Sequence, residues 1–171
     1  MRCRGFSLIE LMVTIAVLAI LLAIGLPSFQ GSMRSNLVAT GANELIASIS
    51  LARSEAIRSP GGAGICASAD GSSCNGASWN DGWIVWNDLD GNGSPGGTDE
   101  RVLRRVEAIA KLDIETDDPD ATTITFDTRG VVGSSFEFTV QPDSCPTGQL
   151  LVREINLTLI GQTRTERVAC P

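Results

Sequence analysis

Gly5-Phe6-Ser7-Leu8-Ile9-Glu10 opens an apolar run that reaches Leu26 with no further charge. Phe6 to Leu26 is 21 residues, which as a helix rising about 1.5 Å per residue gives roughly 31 Å, close to the roughly 30 Å hydrocarbon core of a bilayer. One helix of this length can span a membrane. A secretory signal peptide would carry a shorter apolar core and then a small-residue cleavage site. Here Arg2 and Arg4 stand just before Gly5, and the run continues into the chain, so cleavage ahead of it would leave an anchor in place. Glu10 is the exception inside the run. A carboxylate at membrane depth costs a few kcal/mol and marks a functional candidate. Close to the start of the segment, it can snorkel to the headgroups. The sharper expectation is that cleavage after Gly5 frees a positive amine on Phe6, which Glu10 meets on a neighbouring subunit as helices pack laterally.

Gly-Phe-Ser-Leu-Ile-Glu-Leu behind a short basic leader resembles the class III leader of type IV pilins and type II secretion pseudopilins. The resemblance implies a prepilin peptidase that cuts between Gly5 and Phe6 and methylates the new Phe6 amine, with Glu10 as the acidic residue that promotes assembly. Pro27 stands where such proteins often carry a helix-softening proline.

The chain has 171 residues, room for one globular domain beyond the anchor, and its 43% hydrophobic content is inflated by that anchor. Formal net charge is −7; without Arg2 and Arg4, 11 basic side chains face 20 acidic ones. Bulk charge therefore opposes nonspecific nucleic-acid binding. There is no histidine, which removes Ser-His and Cys-His catalysis and every His-containing zinc site. Cys3 lies in the leader, leaving Cys66, Cys74, Cys145 and Cys170 as an even number in a region expected outside the cytoplasm. Two disulfides follow as the expectation. Four cysteines allow three pairings, of which local closure favours Cys66 with Cys74 and Cys145 with Cys170. A zinc site of four thiolates is the alternative, and the absence of any C-x-x-C spacing argues against it.

Beyond Pro27 the period stays helical. Leu37, Gly41, Leu45, Ile49, Ala52 and Ala56 recur at three or four residues, with the stripe through Ala42, Leu45, Ile49 and Ala52 expected to pack on the rest of the domain. Ser59-Pro60-Gly61-Gly62 should stop the helix near Arg58. From Ala63 the period changes to two, and strands are expected at 63–67, 82–87, 102–109, 112–116, 122–127, 136–141, 149–160 and 163–169. In the clearest of these, Ile155, Leu157 and Leu159 share one face. One face of each sheet should bury against the helix and the other stay wet. A lone helix followed by a run of strands reads as α+β.

Asn43-Glu44-Leu45 with Leu51-Ala52-Arg53-Ser54-Glu55-Ala56, followed by Gly82-Trp83-Ile84-Val85, resembles the FimT/GspH pilin family over nearly the whole mature chain. The resemblance implies a pilin fold, in which a long N-terminal helix, half transmembrane and half amphipathic, lies on two small antiparallel β-sheets. The expected organisation is a leader at 1–5, a transmembrane and assembly helix at 6–26, its amphipathic extension at 27–58 and a β-rich head at 60–171.

Asp88-Leu89-Asp90-Gly91-Asn92-Gly93 places oxygen ligands at alternate positions with a turn glycine sixth, as the front of an EF-hand calcium loop does. The back half fails, because the twelfth position is Asp99 rather than a bidentate Glu and a strand precedes the loop. Asp88, Asp90 and Asn92 are the calcium candidates, against an acidic Asn-Gly hairpin turn. No other cofactor is expected. Gly91-x-Gly93-x-x-Gly96 is formally a dinucleotide fingerprint, which Pro95 and the carboxylates of Asp88, Asp90 and Asp99 disqualify. Trp79, Trp83 and Trp86 cluster, with Trp83 and Trp86 on opposite strand faces; sheet packing competes with an exposed stacking surface.

Arg164 and Arg167 lie near the C-terminus. Some FimT-type pilins bind DNA through a C-terminal Gly-Arg-x-Arg motif, and the corresponding stretch here is Gly161-Gln162-Thr163-Arg164. Gln162 departs from the motif and removes one phosphate-pairing guanidinium, so affinity should fall unless Arg167, Arg153 or Arg129 substitutes in space. Glu166 also opposes binding. Gly161, Arg164 and Arg167 are the DNA-binding candidates.

The function expected is that of a minor type IV pilin held in the inner membrane with its head in the periplasm, extracellular once assembled. Its partners would be other major and minor pilins or pseudopilins, prepilin peptidase, and in one reading DNA. A DNA-capture pilin and the minor pseudopilin of a type II secretion system are the alternatives. No nucleophile–base pair or phosphate loop supports an enzyme.

Overall fold

Helix α1 runs over Leu8–Ala56. The structure, a computed structural model, describes residues 6–97 and 99–171, with residues 24–28 described as helix backbone only. Gly5, the expected cleavage position, lies outside the described residues. Ser7 caps α1 at its start, accepting the Glu10 N–H on its hydroxyl at 3.3 Å and the Leu11 N–H on its carbonyl at 3.2 Å. After Ala56, the N–H groups of Arg58 and Ser59 both reach the Glu55 carbonyl, at 2.8 and 2.9 Å, and Pro60 prevents any continuation.

The chain divides into two compact units, Met1–Asn36 and Leu37–Pro171. In the first, the apolar side chains are exposed on the helix surface, among them Leu8, Met12, Ile15, Leu18 and Leu22. Among the described residues no helix is long and apolar enough to cross a membrane. Side chains 24–28, which close the apolar run of the sequence, are not among those described.

In the second unit, α1 from residue 37 onward packs on two four-stranded antiparallel sheets. The strands are β1 (Ala63–Ala67), β2 (Gly82–Asn87), β3 (Val102–Glu107), β4 (Leu112–Thr116), β5 (Thr123–Phe126), β6 (Phe136–Pro142), β7 (Val152–Leu157) and β8 (Thr163–Val168). One sheet has the order β3-β2-β1-β5 and the other β4-β6-β7-β8. This is the α+β organisation that the periodicities imply, arranged as the resemblance to pilins implies. A single 3₁₀ turn, Trp79–Asp81, precedes β2.

The core is the helix stripe against the inner sheet faces. Val38, Ala42, Leu45, Ile49, Ala52 and Ala56 meet Trp83, Val85, Phe126, Phe138, Val140, Ile155 and Leu157 in one cluster. The three alanines let α1 approach the sheets closely, while each fully buried Leu or Ile contributes about 1.5–3 kcal/mol by leaving water. Both sheets, both disulfides and this whole core come from residues 37–171, so the second unit holds everything its fold requires.

Two expectations are corrected. Over its central strands the first sheet is not wet on its outer face: β1 is buried at every position, and Cys66, Ile84 and Trp86 form a second cluster there, while most of β3 and Thr125 of β5 stay exposed. The bond from Cys66 to Cys74 ties the 68–78 loop to that face, which alternation alone does not reveal. In the second sheet, Leu159 does not follow Ile155 and Leu157 inward. β7 stops at Leu157, and the hairpin tip turns through Thr158–Gln162, with Gly161 N–H on the Thr158 carbonyl and Thr158 N–H on the Gln162 carbonyl. The same strand starts late because Gln149–Leu151 is held in a turn.

Candidate functional site

Glu10 sits in the first turn of α1 with an exposed side chain that has no hydrogen-bond or ion-pair partner among the described residues. Around it Phe6, Leu8, Ile9, Leu11 and Val13 are exposed, Phe6 at 81%. A lone carboxylate on an otherwise apolar surface needs a positive partner from outside its own helix once that surface is covered.

Cys66 is bonded to Cys74 and Cys145 to Cys170. The second bond belongs to a small cluster with Leu151 and Val152 and fastens the C-terminus to the loop before β7. All three tryptophans are buried: Trp79 rests edge-on against Phe138 with ring centres 5.2 Å apart, Trp83 is in the main core and Trp86 lies on the outer face. None offers a stacking surface.

The 88–100 loop is organised by its own backbone. Asp88 is buried at 4% exposure and accepts the N–H groups of Gly91 and Gly93 at 2.7 and 2.8 Å. Asn92 gives its amide to Asp90 and accepts the Ser94 N–H. Carboxylate oxygens of Asp88, Asp90 and Glu100 lie within 4.8 Å of one another. These three are the residues able to converge on a divalent cation, Glu100 standing where sequence spacing offers Asp99. Burial acts to raise the Glu100 carboxyl pKa, but N–H groups from Gly97 and Leu89 outweigh it and hold the group below its ordinary value.

The arginines divide into two sets. Arg58, Arg104, Arg105 and Arg129 are each matched to a carboxylate: Glu55, Glu44, Glu107 and Asp127. Arg129 is thereby occupied. Arg34, Arg53, Arg101, Arg153, Arg164 and Arg167 have no carboxylate partner among the described residues. Register places Arg153 directly opposite Arg167 and Asn156 directly opposite Arg164. Arg164 and Arg167 therefore project to opposite faces of β8 and do not act as one patch. Arg153 and Arg167 share the face of Ile155 and Leu157, which is the side packed on α1. Partial burial and the Arg167 charge lower the pKa of Arg153. The outer face carries Glu154 opposite Glu166.

Gly161 is buried in the β7–β8 turn and lines a groove of about 570 Å³ with Ser50, Arg53, Ser54, Ile57 and Arg164. Thr163 and Gln162 complete the wall, which contains no carboxylate. Arg53 is the residue that sequence reading misses. It sits on the last turn of α1, and its Nε–H donates to the Gly130 carbonyl at 3.2 Å, 77 residues away. Only its position, one residue off the buried helix stripe, hinted that it would face a neighbouring element.

Comparison with known proteins gives the family. The family model "Type II transport protein GspH" matches residues 41–161, and the model "Prokaryotic N-terminal methylation motif" matches residues 1–26. No curated protein matches the chain. Two crystal forms of the type IV minor pilin FimU of Pseudomonas aeruginosa strain PAO1 are similar in structure, each at 21% identity. One has a TM-score of 0.59, covering 77% of this chain and 89% of FimU; the other has 0.56, covering 75% and 91%. At that identity the likeness establishes the pilin fold. Membership implies association with other pilins or pseudopilins. The chain belongs to the GspH family of type IV pilin-like proteins and carries their N-terminal methylation motif.

Proposed function

We propose that this protein is a minor pilin: cleaved after Gly5, methylated on Phe6, anchored in the inner membrane by 6–26 and passed from there into a type IV pilus, whose assembly it helps to initiate. The observation that carries the reading is the exposed apolar surface of residues 6–23 with the unpartnered Glu10 in it. A surface of this kind is stable only in lipid or against the helices of other subunits. Prepilin peptidase and the neighbouring pilins are its partners, and catalysis is not part of its role. The test is Glu10→Val in cells. It should leave the protein processed and in the membrane but largely absent from sheared filaments; unchanged incorporation would refute the amine pairing. The family name raises the equivalent place in a type II secretion filament, and a deletion strain that loses enzyme secretion while keeping motility would select it.

A second reading is DNA capture by the head, favoured by Arg53, Arg153, Arg164 and Arg167, which have no carboxylate partner among the described residues in a chain of net charge −7. Salt-sensitive binding of an oligonucleotide by the head, residues 30–171, tests it.

A further inference from the structure

Arg53 is held more firmly than a surface arginine requires. Its stem lies against Gly130 and Gly161, both in the left-handed region at φ 74° and 73°. A Cβ on Gly130 would stand 3.1 Å from Arg53 Cγ, and one on Gly161 would stand 2.8 Å from Arg53 Nε and against the Gly130 carbonyl. The only hydrogen bond of the guanidinium among the described residues is that to Gly130, through Nε. Its two terminal nitrogens have no partner among the described residues and stand beside a groove that offers the hydroxyls of Ser50 and Ser54 and no carboxylate. Guanidinium groups fixed in this way lose little entropy on binding an oxyanion, and their paired N–H groups match phosphate geometry.

The same seam carries a second cationic point. Thr163, in the groove wall, and Arg167 lie on the same face of β8, four residues apart, which is roughly 13 Å along a strand. Arg167 and Arg153 oppose each other across β7 and β8, and neither has a carboxylate partner among the described residues, an arrangement that costs stability in the free protein.

Resting on the DNA-capture reading, we infer that the ligand is a phosphodiester strand lying in the seam between α1 and β8, with one phosphate on Arg53 and another on the Arg153–Arg167 pair. The strand runs along the helix-facing side of β8. Arg164 borders the groove beside Arg53 but stands on the other face of β8 from the Arg153–Arg167 pair.

The experiment uses the head from Gln30, which keeps the whole core, and measures binding of a short labelled oligonucleotide, single- and double-stranded, at roughly 50 and 200 mM salt. Arg53→Gln and Arg167→Gln should each weaken binding roughly tenfold and lower the salt slope by about one. Arg53→Lys should retain most of the affinity, and Arg164→Gln should change it least. Unchanged binding in Arg53→Gln overturns the inference, and if only Arg164→Gln fails to bind, DNA capture stands while the seam is wrong. No wild-type binding at the lower salt removes the DNA reading itself. Should Arg53→Gln melt early because it loosens the two loops, Arg167→Gln, which holds no loop, decides the matter. Phosphatidylglycerol vesicles form a separate arm, and sedimentation with them in the absence of oligonucleotide binding would overturn the nucleic-acid strand as occupant.

Discussion

Trp83 donates its indole N–H to the Ser48 hydroxyl at 2.9 Å, inside the core where β2 meets α1. The Ser48 hydroxyl donates to the Glu44 carbonyl at 2.8 Å, and the Glu44 carboxylate holds Arg104 of β3 at 2.6 Å. A polar residue in the buried helix stripe thus satisfies an indole that the sheet could not. Ser48→Ala should leave the N–H unpaired at a cost of about 1–3 kcal/mol in urea unfolding, with the fold retained. Ser48→Ala combined with Trp83→Phe should cost less than the two single changes added together, because no orphan donor remains. Strict additivity would show that the bond carries no coupling energy.

The disulfides should differ in worth. Cys145 and Cys170 are separated by 25 positions and Cys66 and Cys74 by 8. Loop-closure entropy then gives roughly 3.5 kcal/mol for the longer loop and about 2.5 kcal/mol for the shorter. Replacing both cysteines of each pair by serine should therefore lower stability more at Cys145–Cys170, as chemical denaturation would show. Cys66 and Cys170 are both buried, so the cost of burying a hydroxyl falls on each pair and leaves chain entropy to set the order. A reversed order would identify packing on the outer sheet face, rather than chain entropy, as the larger effect.

The strands were legible because their period-two patterns sit between glycine, proline and aspartate turns, and the helix stripe through Leu45 and Ile49 because its spacing is 3.6. What escaped reading came from contacts distant in sequence. Leu159 alternates correctly with Ile155 and Leu157, yet hairpin closure at Gly161 takes it out of the sheet. Trp86 belongs to a half-wet sheet by pattern and is buried in a cluster with Ile84 and the disulfide-bonded Cys66 on that face. Arg53 meets Gly130 and Gly161 only in the folded chain, so no local pattern could mark it. The motif-like grouping of Arg164 with Arg167 is undone by strand parity, a consequence that register makes visible and residue spacing alone does not.

Acid should unfold the head through its loop carboxylates. The Ser73 hydroxyl and the N–H groups of Ser72 and Ser73 hold the Asp70 carboxyl well below its usual range. The Val131 N–H and the Arg129 side chain do the same for Asp127. A folded-state pKa below the unfolded one means that the unfolded chain takes up protons first as pH falls. Stability from these groups is therefore complete above roughly pH 5 and is lost as pH drops through about 4 and below. With no histidine in the chain, the melting temperature should vary little between pH 6 and 8. Asp70→Asn and Asp127→Asn should each make the acid limb shallower, and a limb as steep as that of the wild type in both would assign acid sensitivity to other groups.

Arg153 opposite Arg167 sets stability against binding. Like charges directly across two strands destabilise a sheet, and partial burial of Arg153 keeps water from screening them fully. Arg167→Gln should raise the stability of the free head by roughly 0.2–1 kcal/mol, and Arg167→Glu, facing Arg153 with the opposite sign, should raise it at least as much. Added salt should stabilise the wild type more than either variant, since it relieves a repulsion that they lack. The same Arg167→Gln protein should bind an oligonucleotide less well if the pair is kept for a phosphate, which is the usual direction of conflict between stability and function. A variant that is less stable than the wild type and gains as much from salt would mean that the two guanidiniums do not repel, and would remove the reason to expect an anion between them.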